Sequence, residues 1–259
     1  MLTFIFDVDG TLADTERDGH RVAFNRAFRA AGLDWEWSID HYGDLLNIAG
    51  GKERILHYMQ SERPDFKSPN DLKAFIADLH AAKSQHYKAL LQEGIIPLRS
   101  GVKRLILEAR SAGVRLAIAT TSSLDNVLAL LETTLAPDSP TWFETIAAGD
   151  IVDHKKPAPD VYLHVLQAMN LQPEQALAIE DSHQGLQAAL QAQLKTVITA
   201  NFYTRHHDFS GATLVLDQLG EPEAPFTILS GNALNYRHFD LSLANHLHSL
   251  GACPTLMDG

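Results

Sequence analysis

The chain contains one cysteine, Cys253, among its 259 residues. A single cysteine excludes an intramolecular disulfide, so we expect a reducing compartment such as the cytoplasm. Long apolar runs are lacking too, since none approaches the roughly 20 residues of a membrane-spanning helix. The first predicted strand begins at Leu2, which leaves no room for a targeting segment, and the chloroplast stroma is expected only if a transit peptide has been removed.

Positive charge is scarce relative to negative charge. Lysine and arginine total 21 residues against 32 aspartates and glutamates, which gives a formal net charge of -11. Such an acidic chain is poorly suited to bind nucleic acid or an anionic membrane surface. We therefore expect a small-molecule partner rather than nucleic acid or a membrane. We also expect the chain to be a monomer. An anionic substrate would need local cations that outweigh the overall field.

The sequence does contain a regular alternation of predicted strands and helices. Short apolar runs predict strands at residues 2–7, 114–120, 145–148, 176–180, 195–200 and 214–216. Stretches between them predict helices at residues 102–112, 124–134, 159–169 and 183–192. Strands that alternate with helices of this length indicate βαβ units. The predicted fold class is therefore α/β, with a Rossmann-like parallel sheet as its core.

Residues 17–93 interrupt this alternation. Helices are predicted at residues 17–31 and 71–92, no strand is evident there, and the stretch GIIPLRSG is the expected return linker. We therefore predict a helical cap domain, residues 16–94, inserted into a core formed by residues 1–15 and 95–259. The tail after about residue 222 receives no assignment.

The first predicted strand ends in a pair of aspartates. Asp7 and Asp9 are two residues apart, so the alternation of a strand puts them on the same side. Ligands of open α/β sheets bind at the carboxyl ends of the strands. Two crowded carboxylates are tolerable there if a divalent cation lies between them and the substrate. An ordinary alternative is that one aspartate caps the next turn while the other is solvated.

Polar groups also mark three later segments. The stretch TTSS at residues 120–123 follows a predicted strand and precedes a helix, which makes it a potential anion site. Lys156 lies in HKKPAPD, where two prolines would hold it on a stiff segment. Glu180 and Asp181 end the predicted strand at 176–180 and could bind a hard metal ion through oxygen. Alone, these segments also fit ordinary alternatives such as a helix cap or a solvated loop.

In their order and spacing, the four segments resemble the four motifs of the haloacid dehalogenase superfamily: DVDGT, ATTS, KKPAPD and IEDS. The resemblance covers about residues 2–216, and the helical insert matches the position of that superfamily's cap. It implies that Asp7 is the nucleophile that forms an aspartyl-phosphate. It also implies that Asp9 is first the general acid that protonates the leaving alcohol and then the base that activates water.

The same resemblance implies the remaining roles in the core. Mg²⁺ would be the cofactor, bound by Asp7, by the backbone carbonyl of Asp9 and by Asp181, with Glu180 bound to it directly or lying just behind its ligands. Lys156 would tie Asp7 to the phosphate and neutralise charge. The phosphoryl oxygens would be held by a group of neighbouring residues after the second motif: Thr120, the backbone of Thr121, and Ser122.

Specificity would come from the cap. Its candidate substrate-binding residues are Glu16, His20, Lys52, Arg54 and Lys83. In the stretch AGGKERI, residues 49–55, paired glycines allow a close approach of backbone to a ligand and are followed by two cations. A second phosphate on the substrate would suit such cations. The alternative is a helix start with ordinary surface charges.

Further stretches are similar to the CbbY type within the superfamily, among them DTERDGHRVAFN, GGKERI, AAGD, KKPAPDVY and FYTRHHDFSGA. This resemblance implies a phosphosugar partner: xylulose 1,5-bisphosphate, a Rubisco inhibitor, would be converted to xylulose 5-phosphate. One phosphate would react at Asp7 while the cap cations hold the other.

Three alternatives stay open. A β-phosphoglucomutase-like phosphosugar mutase shares the aspartate pair and has a phosphate-binding lysine where this chain has Lys83. A phosphoglycolate phosphatase would need fewer cap cations. A non-catalytic phosphosugar-binding regulator would be favoured by loss of Asp7, Lys156 or Asp181, and all three residues are present.

Overall fold

The computed structural model describes residues 2–48, 50–67 and 70–249. Cys253 lies outside these described residues, as does Ala49 at the start of the AGGKERI stretch. The chain divides into two units. The first, here the sheet unit, combines Met1–Ala13 with Leu98–Gly259. The second, here the helical unit, is Asp14–Pro97, slightly wider than the predicted insert at residues 16–94.

The sheet unit is built on a sheet that, within the described residues, has seven strands in the order β3-β2-β1-β4-β5-β6-β7. All neighbouring pairs are parallel except β6 with β7, which is antiparallel. The strands are β1 Thr3–Phe6, β2 Arg115–Ala119, β3 Thr145–Ala147, β4 Ala176–Glu180, β5 Lys195–Thr199, β6 Leu214–Leu216 and β7 Ile228–Gly231.

Helices precede or separate the parallel strands from β2 to β5, as the α/β prediction expected. They are α5 Val102–Ser111, α6 Leu124–Thr134, α7 Asp160–Ala168 and α8 His183–Gln191, with short 3-10 turns at Ser139–Trp142 and Pro173–Gln175. A further helix, α9 Leu241–Ser249, follows β7. The chain therefore has the Rossmann-like parallel core predicted from its alternating pattern.

Strand β1 lies inside the sheet, between β2 and β4, and pairs in parallel with both. Phe6 lies opposite Ile118 of β2 and opposite Ile179 of β4. All four residues of β1 are buried, which explains why its sequence is a continuous apolar run rather than an alternation. Because the pairing is in register, the residue after Phe6 emerges level with the carboxyl ends of both neighbouring strands.

Among its described residues, the helical unit contains a π-helical turn and four α-helices. The turn is Thr15–His20, and the helices are α1 Arg21–Ala30, α2 Ile39–Leu45, α3 Gly51–Glu62 and α4 Leu72–Gln92. Its described part has no strand, as expected from the sequence. The predicted helix at residues 17–31 is divided between the π-helical turn and α1. None of the helices in the described part of the chain is long and apolar enough to cross a membrane.

The core of the helical unit is a cluster of aromatic rings. Trp37 is fully buried and packs against Phe24 and Phe28, with ring centroids 4.7 and 4.8 Å away. Its backbone is held by Asn25, whose side chain donates to Trp37 O at 3.0 Å and accepts from Trp37 N at 2.9 Å. Aromatic packing of this kind lets a small helical unit bury much apolar area with few residues.

The tail after residue 222 was unassigned from sequence, and its described part, residues 223–249, is an integral part of the sheet unit. Strand β7 pairs with β6, and α9 packs against α5 and β4. Arg104 of α5 joins the tail to the core, since it donates to Gly220 O at 2.8 Å and to Phe239 O at 3.0 Å. Strand β7 escapes a pattern-based prediction because all four of its residues are exposed, so it lacks alternation.

The buried face of α9 predicts a measurable contribution to stability. Leu243 is fully buried, so Leu243→Ala should lower the free energy of unfolding by about 2–5 kcal/mol in urea titrations. Leu229→Ala on β7 is the control, because that side chain is 49% exposed and its loss should cost less than about 0.5 kcal/mol. If the two variants had equal free energies of unfolding, the packing of α9 would not contribute to the stability of the sheet unit.

Candidate active site

Three carboxylates meet at the carboxyl ends of β1 and β4. Asp7 directly follows β1, and its backbone N donates to Ile179 O at 3.0 Å, which continues the pairing of the two strands. Glu180 ends β4, and Asp181 follows it. One oxygen from each of Asp7, Glu180 and Asp181 lies within 4.8 Å of the others, and all three residues are buried. These three carboxylates are here called the acidic group.

A buried lysine links two of these carboxylates. Lys156 Nζ donates to Asp7 Oδ1 at 2.7 Å, to Glu180 Oε1 at 2.6 Å and to Ala119 O at 2.9 Å, so its three protons are all engaged. Burial opposes the charge of this ammonium group, but Asp7 and Glu180 outweigh burial and raise the pKa of Lys156 above its ordinary value. The lysine therefore stays charged and fixed at neutral pH.

The lysine does not compensate all of the negative charge. Burial raises the pKa of Asp181 well above its ordinary range, and the nearby charges of Asp7 and Glu180 raise it further. Burial likewise raises the pKa of Glu180, although Lys156 works against that shift. A divalent cation among these oxygens would offset the repulsion, and carboxylate oxygens are the donors that hard cations such as Mg²⁺ prefer. The residues present thus fit a hard divalent cation.

Asp9 lies on the turn that follows Asp7. It is partly exposed, and its carboxylate is not among the three that form the described acidic group. The next residue, Gly10, has a φ of +86°. A Cβ atom at this position would collide with the Asp181 carboxylate and with the Asn201 amide, so only glycine fits. The turn therefore passes directly against the acidic group.

The predicted anion-binding residues follow β2. Thr120 is buried, its backbone N donates to Ala147 O at 2.9 Å, and its Oγ1 accepts from Ser122 N at 3.2 Å. Thr121 is exposed and Ser122 half-buried, just before helix α6 begins at Leu124. Hydroxyl and N–H groups at a strand end before a helix can bind an oxyanion.

Four of the five predicted substrate-binding residues of the helical unit form two groups, and Lys52 is in neither. In the first, Tyr42 donates to Glu16 Oε2 at 2.5 Å and accepts from Arg54 at 2.9 Å. Arg54 is buried and also donates to Leu45 O and to Ile48 O, so much of its guanidinium holds the end of α2. Lys52, two residues earlier on α3, is exposed.

The second group joins His20 to Lys83. The His20 Nδ1 and Lys83 Nζ atoms are 2.9 Å apart, and the His20 ring stacks on Tyr87 with centroids 4.0 Å apart. Burial, with Lys83 next in importance, lowers the pKa of His20 well below its ordinary value. His20 is therefore neutral at pH 7, so its Nδ1 accepts a hydrogen bond from the lysine.

Two residues that were missed from sequence donate hydrogen bonds to the acidic group. Tyr162 donates its buried hydroxyl to Glu180 Oε1 at 2.6 Å, and Asn201 donates to Asp181 Oδ2 at 2.7 Å. Asn201 follows the end of β5, so the rule that marked polar residues after the other strands could have found it. Tyr162 gave no such signal, since a tyrosine in an apolar helix is typical of a core residue.

Comparisons with known proteins match this chain to a family. A family model described as haloacid dehalogenase-like hydrolase matches residues 1–193. The chain is 48% identical over 217 residues to Protein CbbY of Cereibacter sphaeroides, covering 84% of this chain and 92% of that protein. It is 51% identical over 208 residues to Protein CbbY of Rhodobacter capsulatus, covering 80% and 89%.

A solved structure is similar over the same extent. A crystal structure of a CbbY mutant from Rhodobacter sphaeroides, in complex with xylulose 1,5-bisphosphate, aligns with a TM-score of 0.70 at 46% identity. The alignment covers 84% of this chain and 95% of that one. The similarity therefore extends over most of both chains.

Removal of Lys156 should destabilise the fold. In metal-free buffer, Lys156→Met should lower the free energy of unfolding by about 3–5 kcal/mol, because Asp7 and Glu180 stay buried without a cation. Lys155→Met is the matched control, since that side chain is half-exposed and pairs with the exposed Asp150. It should unfold at the same denaturant concentration as the wild type. If both variants lost the same free energy of unfolding, the buried lysine would have no special role in stability.

Proposed function

The chain belongs to the haloacid dehalogenase-like hydrolases, and from this membership we propose that it is a Mg²⁺-dependent phosphatase that converts xylulose 1,5-bisphosphate to xylulose 5-phosphate. One observation carries the proposal of a phosphatase: the buried Lys156 ammonium donates to Asp7 Oδ1 at 2.7 Å, and Asp7 is itself one of the three clustered carboxylates. The choice of sugar is supported by the CbbY mutant that was crystallised with this bisphosphate. The reaction would remove a Rubisco inhibitor.

The first half of the reaction is a transfer of the phosphoryl group to Asp7. An oxygen of the Asp7 carboxylate attacks phosphorus, and the bond between phosphorus and the sugar oxygen breaks. Asp9, protonated at that moment, gives its proton to the leaving sugar oxygen, so the sugar departs as an alcohol. The products are the monophosphate and a phosphate anhydride on Asp7.

The second half restores the enzyme. A water molecule attacks phosphorus, and Asp9, now a carboxylate, takes a proton from that water. The bond between phosphorus and the Asp7 oxygen breaks, which releases inorganic phosphate and the free carboxylate. One residue thus serves as acid and then as base, as the partly exposed position of Asp9 on the turn after Asp7 allows.

The surrounding groups manage charge. Attack by a carboxylate on a phosphate monoester brings two anions together, so positive charge must already be in place. Lys156 supplies one such charge, and the hydroxyl of Thr120 with the N–H groups after it would hold phosphoryl oxygens. Mg²⁺, when bound, would neutralise further charge. Asp7, Asp181 and the backbone carbonyl of Asp9 would hold it, with Glu180 as a ligand or just behind the ligands.

We further propose that the helical unit decides which phosphosugar is accepted. Lys83 is fixed by a neutral histidine, His20, and Lys52 is exposed at the start of α3, so both carry charge that a second phosphate could use. Arg54 would act together with Glu16, to which Tyr42 links it. Glu16 would accept hydrogen bonds from sugar hydroxyls.

The test is phosphate release from a panel of substrates with Mg²⁺. We expect one phosphate per xylulose 1,5-bisphosphate, little release from ribulose 1,5-bisphosphate or phosphoglycolate, and loss of all activity with EDTA. Consumption of β-glucose 1-phosphate without phosphate release would instead indicate a mutase. Preference for phosphoglycolate would overturn the choice of sugar while keeping the reaction class.

The same assay is run on a variant of the proposed nucleophile and on a control variant. Asp7→Asn should lower turnover by at least about 1,000-fold with the fold intact, because the amide keeps the size of the side chain but cannot attack phosphorus. Asp153→Asn changes an exposed carboxylate and should leave turnover as in the wild type. Turnover by the first variant at the rate of the second would refute the mechanism.

A further inference from the structure

The amide of Asn201 connects two parts of the acidic group. Its Nδ2 donates to Asp181 Oδ2 at 2.7 Å and, more weakly, to Gly10 O at 3.4 Å. Both hydrogens of the amide nitrogen are thereby used, one on a carboxylate and one on the turn that carries Asp9. The hydrogen bond to Asp181 Oδ2 restricts rotation of the Asp181 carboxylate.

The orientation of this amide is set from the other side. Its Oδ1 accepts from Tyr203 N at 2.8 Å and from Thr204 N at 3.2 Å. Two N–H donors facing the oxygen require that the nitrogen face Asp181, so the hydrogen bonds define which way the amide points. The turn after β5 therefore aims the N–H donors of Asn201 at the acidic group.

The turn at Gly10 is held by a second residue as well. Arg99 donates through Nη1 to Gly10 O at 2.5 Å, and it also donates to Thr199 O, Ala200 O and Asp217 O. Arg99 thus binds the turn to the ends of β5 and β6. Asn201 is the residue that ties the same turn to Asp181, and the absence of a side chain at Gly10 leaves room for that contact.

We propose that Asn201 is a positioning residue that presets the acidic group for a divalent cation by holding Asp181 against the turn that bears Asp9. This inference rests on the proposed Mg²⁺-dependent phosphatase. It assigns Asn201 no contact with substrate. Groups that orient metal ligands commonly change metal affinity by about 10–100-fold when they are removed, so the effect should appear in cation binding itself.

The test is Mg²⁺ binding to metal-stripped protein by calorimetry, without substrate. Asn201→Ser is the main variant, because its hydroxyl can still accept an N–H from the following turn but is too short to reach Asp181. We expect its dissociation constant for Mg²⁺ to rise about 10–100-fold. Asn201→Ala, which loses the turn contact as well, should show at least the same rise.

Asn232→Ala is the matched control. Asn232 also accepts a backbone N–H two residues ahead, from Leu234 at 2.8 Å, but it lies on the loop between β7 and α9. This variant loses the same kind of turn contact without touching the acidic group, so its Mg²⁺ affinity should stay within about twofold of the wild type.

Kinetics provide a second measurement. In Asn201→Ser, the Mg²⁺ concentration for half-maximal activity should rise by the same factor as the dissociation constant. The KM for the bisphosphate at saturating Mg²⁺ should stay within about twofold of the wild type. A general structural defect would not separate these two quantities.

The outcomes distinguish this inference from the proposed function. If the wild type neither binds Mg²⁺ nor releases phosphate, the proposed function fails and this inference fails with it. If the wild type does both but folded Asn201→Ser binds Mg²⁺ within about twofold of it, only the inference about Asn201 is overturned. Loss of the folded state in Asn201→Ser, judged by thermal melting, would also overturn the inference, because Asn201 would then support the fold rather than the site.

Discussion

The buried ammonium group of Lys156 compensates the charge of two carboxylates at the carboxyl ends of β1 and β4. Lys156 places its charge between Asp7 and Glu180, at 2.7 and 2.6 Å, where two carboxylates would otherwise be buried without compensation. Buried charges persist only when they are paired and hydrogen-bonded. The pairing still leaves Asp181 with excess negative charge around it, and that excess is what a divalent cation would relieve. The buried lysine and the cation site are thus two parts of one balance of charge.

The alignment of the strands in the sheet is enough to bring Asp7 and Glu180 together. Parallel pairing in register places the residue after β1 level with the end of β4, so Asp7 meets Glu180 as a direct result of strand alignment. The other groups are added from later in the chain: Lys156 before α7, Asn201 after β5 and Arg99 at the return from the helical unit. Each is held by several hydrogen bonds to backbone or carboxylate oxygens, which limits movement at the site.

Much of this arrangement could be predicted from sequence because two simple patterns govern it. Buried strands appear as apolar runs, and the polar residues that follow them mark the ligand-binding edge, which pointed to Asp7 and Asp181. Lys156 was singled out by its proline-rich segment and by the order of the superfamily's motifs. The patterns fail where burial is not periodic. Strand β7 has no buried face, and α9 has a short and mixed apolar pattern. Asn201 was missed because a lone asparagine after a strand is typical of a turn, and only its hydrogen bonds reveal its second partner.

The central claim is that the Asp7 carboxylate itself takes up the phosphoryl group. The most direct test is to quench the enzyme during turnover of xylulose 1,5-bisphosphate, reduce it with borohydride and map its peptides by mass spectrometry. Reduction converts an aspartyl-phosphate to homoserine, so the account predicts homoserine in place of Asp7, dependent on substrate and Mg²⁺. An unmodified Asp7 in enzyme that is turning over, or a modified residue elsewhere, would contradict it.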